Sequence, residues 1–258
     1  MILTTTRGTD LAVYDWHGSH TDADIPTAGV PDAEEVERYM QDTWKPGRRI
    51  PRRIKYRIML DRIELYEERI ADLAGLLSRG EITLDEWEER MAQEIKGLHL
   101  NSYVTGQSGR WNELTERDYT AIGDEVSRQQ KYLRRWRNQL AEQQASDDIE
   151  AGKVVSRAKL YGRAASGSFE KAHGAENGLP PDVLPAYPGD GTTQCLTGCK
   201  CRWTIRLISR ERGDADCNWT LGPSEHCETC LKRARSWLGL RIRGGELKTD
   251  VEPIFYDR

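Results

Sequence analysis

Five of the six cysteines in the 258-residue chain lie within one short window near its C-terminal end. They form two groups, one in "QCLTGCKCRW" and the other in "SEHCETC". Between the groups, apolar and polar residues alternate on both sides of a turn at 212–214, which predicts two antiparallel strands. Because a hairpin returns the chain to the end at which it began, this fold brings the two cysteine groups together.

Thiolates that converge in this way form the tetrahedral ligand set of a structural zinc site. We expect four of five cysteines to bind Zn²⁺, the candidates being Cys195, Cys199, Cys201, Cys227 and Cys230. His226 is a weaker sixth candidate. The alternatives are reduced thiols without a metal and disulfides. Because the N-terminal sequence lacks the pattern of a signal peptide, we expect a reducing compartment, where clustered cysteines more often bind metal.

The sixth cysteine, Cys217, lies inside the second predicted strand, roughly opposite Leu207. About five residues, at ~3.3 Å each, separate it from the open end of the hairpin, which is too far for a shared metal ion. We therefore expect Cys217 to be a small buried hydrophobic residue.

Helical periodicity dominates the middle of the chain. Apolar residues recur at three- and four-residue steps from 54 to 77, and Gly80 is placed to end that helix. Thr83 and the glutamate three residues later predict a capping box at the start of a second helix. A third helix is predicted over 114–143, and Ser146 caps a fourth. The apolar stripe predicted for the third helix comprises Tyr119, Ile122, Val126, Tyr132, Leu133, Trp136 and Leu140.

These patterns predict a mainly α protein, an elongated antiparallel helical bundle with a small C-terminal zinc-stabilised β-hairpin module and an extended N-terminal arm. A segment rich in proline and glycine separates the bundle from the module, and we expect it to be a linker or a wrapping loop and not a helix or a central strand. The predicted units are an extended acidic arm at 1–44, the helical bundle at 45–173, a Pro/Gly-rich linker at 174–194 and the zinc-binding β module at 195–258.

Charge is unevenly distributed along the first part of the chain. Residues 1–44 contain nine acidic residues and two arginines, a net charge of −7, whereas residues 45–57 contain seven basic residues and no acid. We call residues 45–57 the basic elbow and expect it, with two tryptophans of the arm, to contact a partner or nucleic acid. The candidates are Arg48, Arg49, Arg52, Arg53, Lys55, Arg57, Trp16 and Trp44. The alternative is a solvated arm whose acids loosely neutralise the elbow.

Several stretches resemble a known family. "LPAYPGDGTTQCLTGCKCRWTI", "HCETCLKRA" and "LRIRGGEL" are similar to the C-terminal part of tailed-phage head morphogenesis proteins, the minor capsid proteins related to the phage Mu F protein. In the helical part, "SRGEITLDEWEERM", "QQKYLRRWRNQLA" and "SRAKLYGRAASGSFEKA" resemble the same family. The resemblance covers about 55–245, so the acidic arm and the basic elbow lie outside it.

The resemblance implies a structural protein of the virion, present in few copies in the capsid interior or near the portal. Its partners would be the portal and major capsid proteins, and it would occupy the host cytoplasm during head assembly. Such proteins are not generally enzymes, and the sequence has no P-loop, G-x-S-x-G or H-E-x-x-H motif. We therefore expect no catalytic residues and no small-molecule substrate. Without a run of ~18 apolar residues, we also expect no membrane contact.

A zinc-containing nucleic-acid-binding protein is the alternative function. Residues 191–258 carry twelve basic and nine acidic residues, and Lys200, Arg202 and Arg206 lie beside the first cysteine group. Such residues could contact the phosphates of packaged DNA without sequence specificity. However, twelve minus nine leaves a net charge of only +3, and no helix for reading bases is recognisable.

Overall fold

The computed structural model describes residues 31–45, 48–145, 151–222, 225–249 and 254. In these ranges the chain is mainly helical, with one small antiparallel sheet near the C-terminal end. Most of the predicted arm, including Trp16, lies outside the described residues, as does the predicted cap Ser146. Among the described helices, none combines the length and apolar character needed to cross a membrane.

The described end of the predicted arm is helical rather than extended. Helix α1 spans Ala33–Arg38 and continues into a π-helical turn at Tyr39–Thr43. The Asp32 side chain caps α1, because it accepts a hydrogen bond from the Glu35 backbone N–H at 2.7 Å. Val36 is buried in a small apolar cluster. The prediction of an extended arm was therefore wrong for these residues, since a capping residue and a local apolar contact stabilise a short helix.

Four long helices follow, α2 at Arg52–Ser78, α3 at Leu84–Gly106, α4 at Glu116–Ala145 and α5 at Ala151–Glu176. The predicted capping box at the start of α3 is confirmed. The Thr83 side chain accepts from the Glu86 N–H, while the Glu86 carboxylate accepts from the Thr83 N–H. Helix α3 packs against α2, α4 and α5, and α5 also packs against α2. Helix α3 is therefore central to this part of the fold.

Aromatic side chains connect three of these helices. Trp87 of α3 is fully buried, and Trp136 of α4 meets it edge-on with 4.9 Å between ring centroids. Trp136 also stacks on Tyr161 of α5 at 5.9 Å. Aromatic pairs in such arrangements contribute about 0.5–1.5 kcal/mol beyond the area that they bury. Trp87 and Trp136 thus connect α3, α4 and α5 in the core.

Two members of the predicted α4 stripe are exposed, so the prediction was wrong for them. Tyr119 is 50% exposed and Tyr132 is 43% exposed. At about 3.6 residues per turn, Tyr132 lies roughly a quarter of a turn away from the centre of the stripe. Tyr119 lies in the first turn of α4, where its neighbour Asp118 faces inward and accepts a hydrogen bond from the Tyr103 hydroxyl.

The predicted hairpin is present and belongs to a larger sheet. Strand β1 (Arg202–Ser209) pairs antiparallel with β2 (Asp214–Thr220). Strand β2 pairs with β3 (Leu240–Arg243), which pairs with β4 (Glu246–Leu247). Helix α6 (Glu228–Ser236) connects β2 to β3. The last two strands were missed because they are too short to show a clear alternation in the sequence.

The register of the hairpin differs from the prediction. Cys217 lies opposite Ile205, not Leu207. The turn occupies residues 210–213 instead of 212–214, and the pairing is irregular between Leu207 and Ser209. An earlier turn moves every residue of β2 relative to β1, which accounts for the shift of Cys217.

The Pro/Gly-rich segment, for which a linker or a wrapping loop was predicted, packs against the sheet. Helix α5 runs to Glu176, so the first residues of the 174–194 segment are helical. Tyr187 and other apolar residues of the segment are buried together with the inward face of the sheet. The Trp203 indole N–H donates to the Ala186 carbonyl at 2.9 Å. The segment therefore covers the sheet as well as connecting it to α5.

Candidate metal centre

The first cysteine group lies immediately before β1. Cys195 and Cys199 flank a 3₁₀ turn at Leu196–Gly198, and Cys201 directly precedes the strand. Cys199 and Cys201 are buried, while Cys195 is half-buried. A tight turn is needed here, because three thiols separated by only a few residues must face the same point.

The second group reaches the same place by way of β2. The last residue of β2, Thr220, pairs with Arg202, the first residue of β1. The chain then leads to Cys227, which is the N-cap residue of α6, and Cys230 lies in the first turn of that helix. The predicted convergence of the two cysteine groups at the open end of the hairpin is therefore confirmed.

Three sulfur atoms of the cluster form a compact group. The Sγ atoms of Cys195, Cys199 and Cys230 all lie within 4.8 Å of one another. Cys230 Sγ is 3.8 Å from Cys195 Sγ and 3.5 Å from Cys199 Sγ. Cys227 Sγ lies 3.6 Å from Cys195 Sγ. This cluster of thiols could bind a metal ion.

Two further donors lie at one side of the cluster. The Cys201 thiol hydrogen-bonds with the thiols of Cys199 and Cys230. Its sulfur is also 3.9 Å from Nδ1 of His226. All five predicted cysteines and the weaker candidate His226 are therefore brought to the same place.

The thiols of Cys201 and Cys230 have pKa values that are shifted in opposite directions. Hydrogen bonds from Cys199 and Cys230 lower the pKa of Cys201 to about 4. Hydrogen bonds with Cys195 and with the other thiols raise the pKa of Cys230 above its ordinary value. The thiolate is the form of cysteine that binds metals. Cys201 is therefore a thiolate at neutral pH, while Cys230 stays protonated in the absence of metal.

Cys217 is separate from the cluster, as predicted. It is fully buried between Ile205 on β1 and Leu240 on β3. Burial raises the pKa of its thiol to about 12. Cys217 therefore behaves as a small apolar side chain and remains protonated.

An arginine and three tryptophans form the wall beside the cluster. The rings of Trp203, Trp219 and Trp237 contact one another with centroid separations of 5.4–5.9 Å. The buried guanidinium of Arg233 lies 4.9 Å from the Trp219 centroid and 4.7 Å from that of Trp237. Arg233 Nη2 also donates to the Thr192 carbonyl at 3.1 Å. Cation–π contacts and this hydrogen bond hold a positive charge near the thiols.

Arg233 and Trp237 were not among the site residues predicted from the sequence. Arg233 follows Cys230 by three residues, so on a helix the two side chains lie on one face. That spacing was the available signal. It is weak, because the surrounding "LKRARSW" contains three other candidates for a charged surface or an aromatic anchor.

The basic elbow does not form one exposed surface. Lys55 is fully buried, and its ammonium group lies 2.6 Å from both the Glu176 carboxylate and the Gly106 carbonyl oxygen. Arg57 is also buried and pairs with Asp61 at 2.7 Å. In this structure these two basic residues stabilise the interior and do not reach a partner.

The remaining elbow residues have mixed positions. Arg48 and Arg53 are exposed, and Arg53 pairs with Glu35 of α1. Arg52 pairs with the buried Glu170. Arg49 donates to the backbone carbonyl of residue 176 at 2.6 Å. Trp44 is half-buried against the apolar cluster that contains Val36 and Ile50.

Comparison with known proteins does not place the chain in a family. No protein-family model, curated protein or solved structure matches it. The functional argument therefore rests on the residues of this chain and on their geometry.

Proposed function

We propose that the protein is a structural minor capsid protein of a tailed bacteriophage, which bridges the portal and the capsid shell during head assembly. The observation that carries the proposal is the cysteine cluster, because the sequence around it resembles head morphogenesis proteins and its thiols converge. On this proposal the protein assists assembly through its surfaces and catalyses no reaction.

The metal that we propose for the cluster is Zn²⁺. Four thiolates at about 2.3 Å from a tetrahedral zinc ion lie about 3.8 Å from one another. The sulfur separations of 3.5, 3.6 and 3.8 Å are close to this value. Thiolate-only ligand sets are typical of structural zinc sites, whereas catalytic sites keep one position open for water. Binding worth about 10–16 kcal/mol would add to the apolar packing that stabilises this small four-stranded sheet.

The long helices suit a bridging role. On this proposal α2, α3, α4 and α5 form an elongated antiparallel bundle. Helix α4 has 30 residues and is therefore about 45 Å long. A body of this length, with a metal-stabilised module following it in the chain, can contact two different proteins of the head at once.

The contacts that we propose with portal or capsid use the exposed part of the basic elbow. Arg48 is exposed to solvent, and Arg53 is exposed but paired with Glu35, whereas Lys55 and Arg57 are buried between the helices. Trp16 remains a predicted anchor for a partner. Electrostatic contacts of this kind favour encounter with an acidic surface and weaken with added salt.

The proposal is tested in a phage whose genome encodes this chain. Purified heads are analysed for the protein, and chemical cross-linking identifies its neighbours. We expect cross-links to the portal and major capsid proteins. We also expect Cys230→Ser to reduce both incorporation of the protein and the yield of infectious particles, while the matched change Cys217→Ala leaves both near wild type. Normal assembly after deletion of the gene would refute the proposal.

Binding to packaged DNA is the second candidate, favoured by exposed arginines on β1. The Arg202 side chain is exposed and that of Arg206 is 77% exposed, and both lie on the same face of the strand. Arg206 is paired with Asp216, however, which reduces the charge available to phosphates. Binding to duplex DNA that weakens steeply from low to physiological salt would support this candidate. Absence of binding at low salt would exclude it.

A further inference from the structure

The candidate metal centre contains more ligands than one tetrahedral ion can use. Five thiols and the His226 imidazole offer six donors, whereas a zinc ion in a structural site takes four. A site built for one ion would leave two donors unligated at its edge. The arrangement of the six donors suggests how all of them are used.

The donors form an ordered row. Cys227 Sγ is 3.6 Å from Cys195 Sγ at one end, and Cys201 Sγ is 3.9 Å from His226 Nδ1 at the other. Between these ends lie Cys199 and Cys230. Cys230 contacts Cys195 at 3.8 Å, and both middle thiols hydrogen-bond with Cys201. Each end of the row therefore supplies two donors. The middle two thiols lie within 4.8 Å of Cys195 at one end and hydrogen-bond with Cys201 at the other.

We propose that the centre binds two zinc ions, which share the thiolates of Cys199 and Cys230. One ion is completed by Cys195 and Cys227, and the other by Cys201 and His226. This inference rests on the proposed zinc function and extends it from one ion to two. Each ion then has four ligands, and none of the six donors remains unligated.

The separation of the two shared sulfurs fits this arrangement. Cys199 and Cys230 are 3.5 Å apart, compared with 3.6 and 3.8 Å for the other two sulfur pairs. All three separations are close to the ~3.8 Å expected between two thiolates bound to one tetrahedral zinc ion. The spacing of Cys199 and Cys230 therefore allows both thiolates to bind the same ion on either side.

Charge also favours two ions in this environment. One Zn²⁺ with four thiolates carries two net negative charges, whereas two Zn²⁺ with five thiolates and a neutral imidazole carry one. The bridging residues Cys199 and Cys230 are both buried, and a buried charge is costly unless it is compensated. The positive charge of the buried Arg233 interacts with the thiols of Cys199, Cys227 and Cys230. Two zinc ions together with Arg233 therefore form a nearly neutral unit.

The first experiment counts the metal. The full chain is loaded with zinc sulfate under anaerobic reducing conditions, freed of loose metal by gel filtration, and measured by native mass spectrometry and elemental analysis. Two zinc ions per chain are expected. One ion per chain would overturn the two-ion inference and leave the zinc module of the proposed function intact. No bound ion would overturn both.

Variants then assign the two positions. Cys201→Ser and His226→Ala should each lower the stoichiometry from two ions to one, because only the second position loses a ligand. Cys217→Ala is the matched control and should retain two ions. If Cys201→Ser also retained two, the ligand assignment would be wrong.

Cobalt tests the bridge in the wild-type chain, so this measurement does not depend on a variant folding. Titration with cobalt chloride should first give the electron paramagnetic resonance signal of an isolated tetrahedral Co²⁺ ion. The signal should then decrease as the second ion binds, because thiolate bridges couple the two spins. A signal that grows in proportion to two bound ions would show separate sites and overturn the shared bridge.

Discussion

Lys55 of α2 and Glu176 at the end of α5 form an ion pair that is shielded from solvent, with 2.6 Å between Nζ and Oε2 and side-chain exposures of 0% and 4%. The same ammonium group donates to the Gly106 carbonyl at the end of α3. Burial lowers the pKa of Lys55, while its bond to Glu176 acts in the opposite direction. One basic residue of the elbow thus connects three helices.

Replacing Lys55 by Met should destabilise the protein by about 1–3 kcal/mol, because the buried Glu176 would lose its nearest cation and keep the longer contact with Arg110 at 3.5 Å. The matched control is Arg69→Met, which breaks the more exposed pair with Glu94 and should cost about 0.2–1 kcal/mol. Urea unfolding followed by circular dichroism measures both. Equal losses in the two variants would show that the buried pair has no special role.

Gly106→Ala should destabilise the protein by about 1–3 kcal/mol, since a Cβ there would overlap Ala172 Cβ and Phe169 O, each at 2.6 Å. Gly97 lies on the same helix, α3, but a Cβ at that position would have no heavy atom within 4 Å. Gly97→Ala should therefore stabilise the protein by about 0.5–1 kcal/mol. Thermal unfolding of the two variants should show a lower midpoint temperature for Gly106→Ala and a higher one for Gly97→Ala. A stabilising effect of Gly106→Ala would contradict the close packing of α3 on α5.

Stability should fall as the pH is lowered from 6.5 to 4, partly through His99. Burial lowers the pKa of His99 from 6.5 to about 4, although the nearby Glu125 opposes that shift. Because the unfolded chain accepts the proton first, the stabilisation is complete above pH 6.5 and is lost progressively down to about pH 4. The difference amounts to about 3 kcal/mol.

The measurement is the free energy of unfolding at several pH values for the wild type and for His99→Asn. The asparagine can still contact the Ser168 hydroxyl, which lies 2.8 Å from His99 Nδ1. The free energy of unfolding of the variant should change by about 3 kcal/mol less between pH 6.5 and 4 than that of the wild type. The remaining pH dependence includes the contribution of His173, whose pKa burial lowers to about 3. An unchanged pH profile in the variant would rule out His99 as a source.

Removal of metal by a strong chelator should unfold the C-terminal sheet before the long helices. The rings of Trp203, Trp219 and Trp237 pack beside the cysteine cluster, so tryptophan fluorescence should shift towards that of exposed indole. Far-ultraviolet circular dichroism should retain most of its helical signal, because the helical core has its own apolar cluster. Re-addition of zinc should reverse the change. Unchanged fluorescence in metal-free protein would show that metal does not hold the sheet.

Local patterns predicted several elements correctly. The Thr83 capping box, the end of α2 near Gly80 and the antiparallel hairpin all depend on residues close together in the sequence. The convergence of the cysteine groups was also predictable, because the two ends of a hairpin lie side by side and one cysteine group follows each end. The Asp32 cap of α1 was a comparable signal that was missed, since the acidic composition of the arm outweighed it.

Long-range packing was not predictable in the same way. The run of basic residues from 45 to 57 indicated an exposed elbow, yet the structure buries Lys55 and Arg57. A lysine is stable inside the protein only if an acid reaches it, and its partner Glu176 lies 121 residues away. The exposure of Tyr132 on α4 similarly depends on which neighbouring helices cover that side.

Residue patterns were enough to predict the mainly helical character, the two-stranded hairpin and the set of cysteines that meet at its open end. These features follow from periodicity, capping and chain direction, which act over a few residues. The order of the thiols around the centre and the placement of Arg233 beside them became visible only in the folded chain. It also decided which elbow residues are buried. The reason is physical: burial and ligand spacing depend on distances between segments far apart in the chain, and those distances are set by packing.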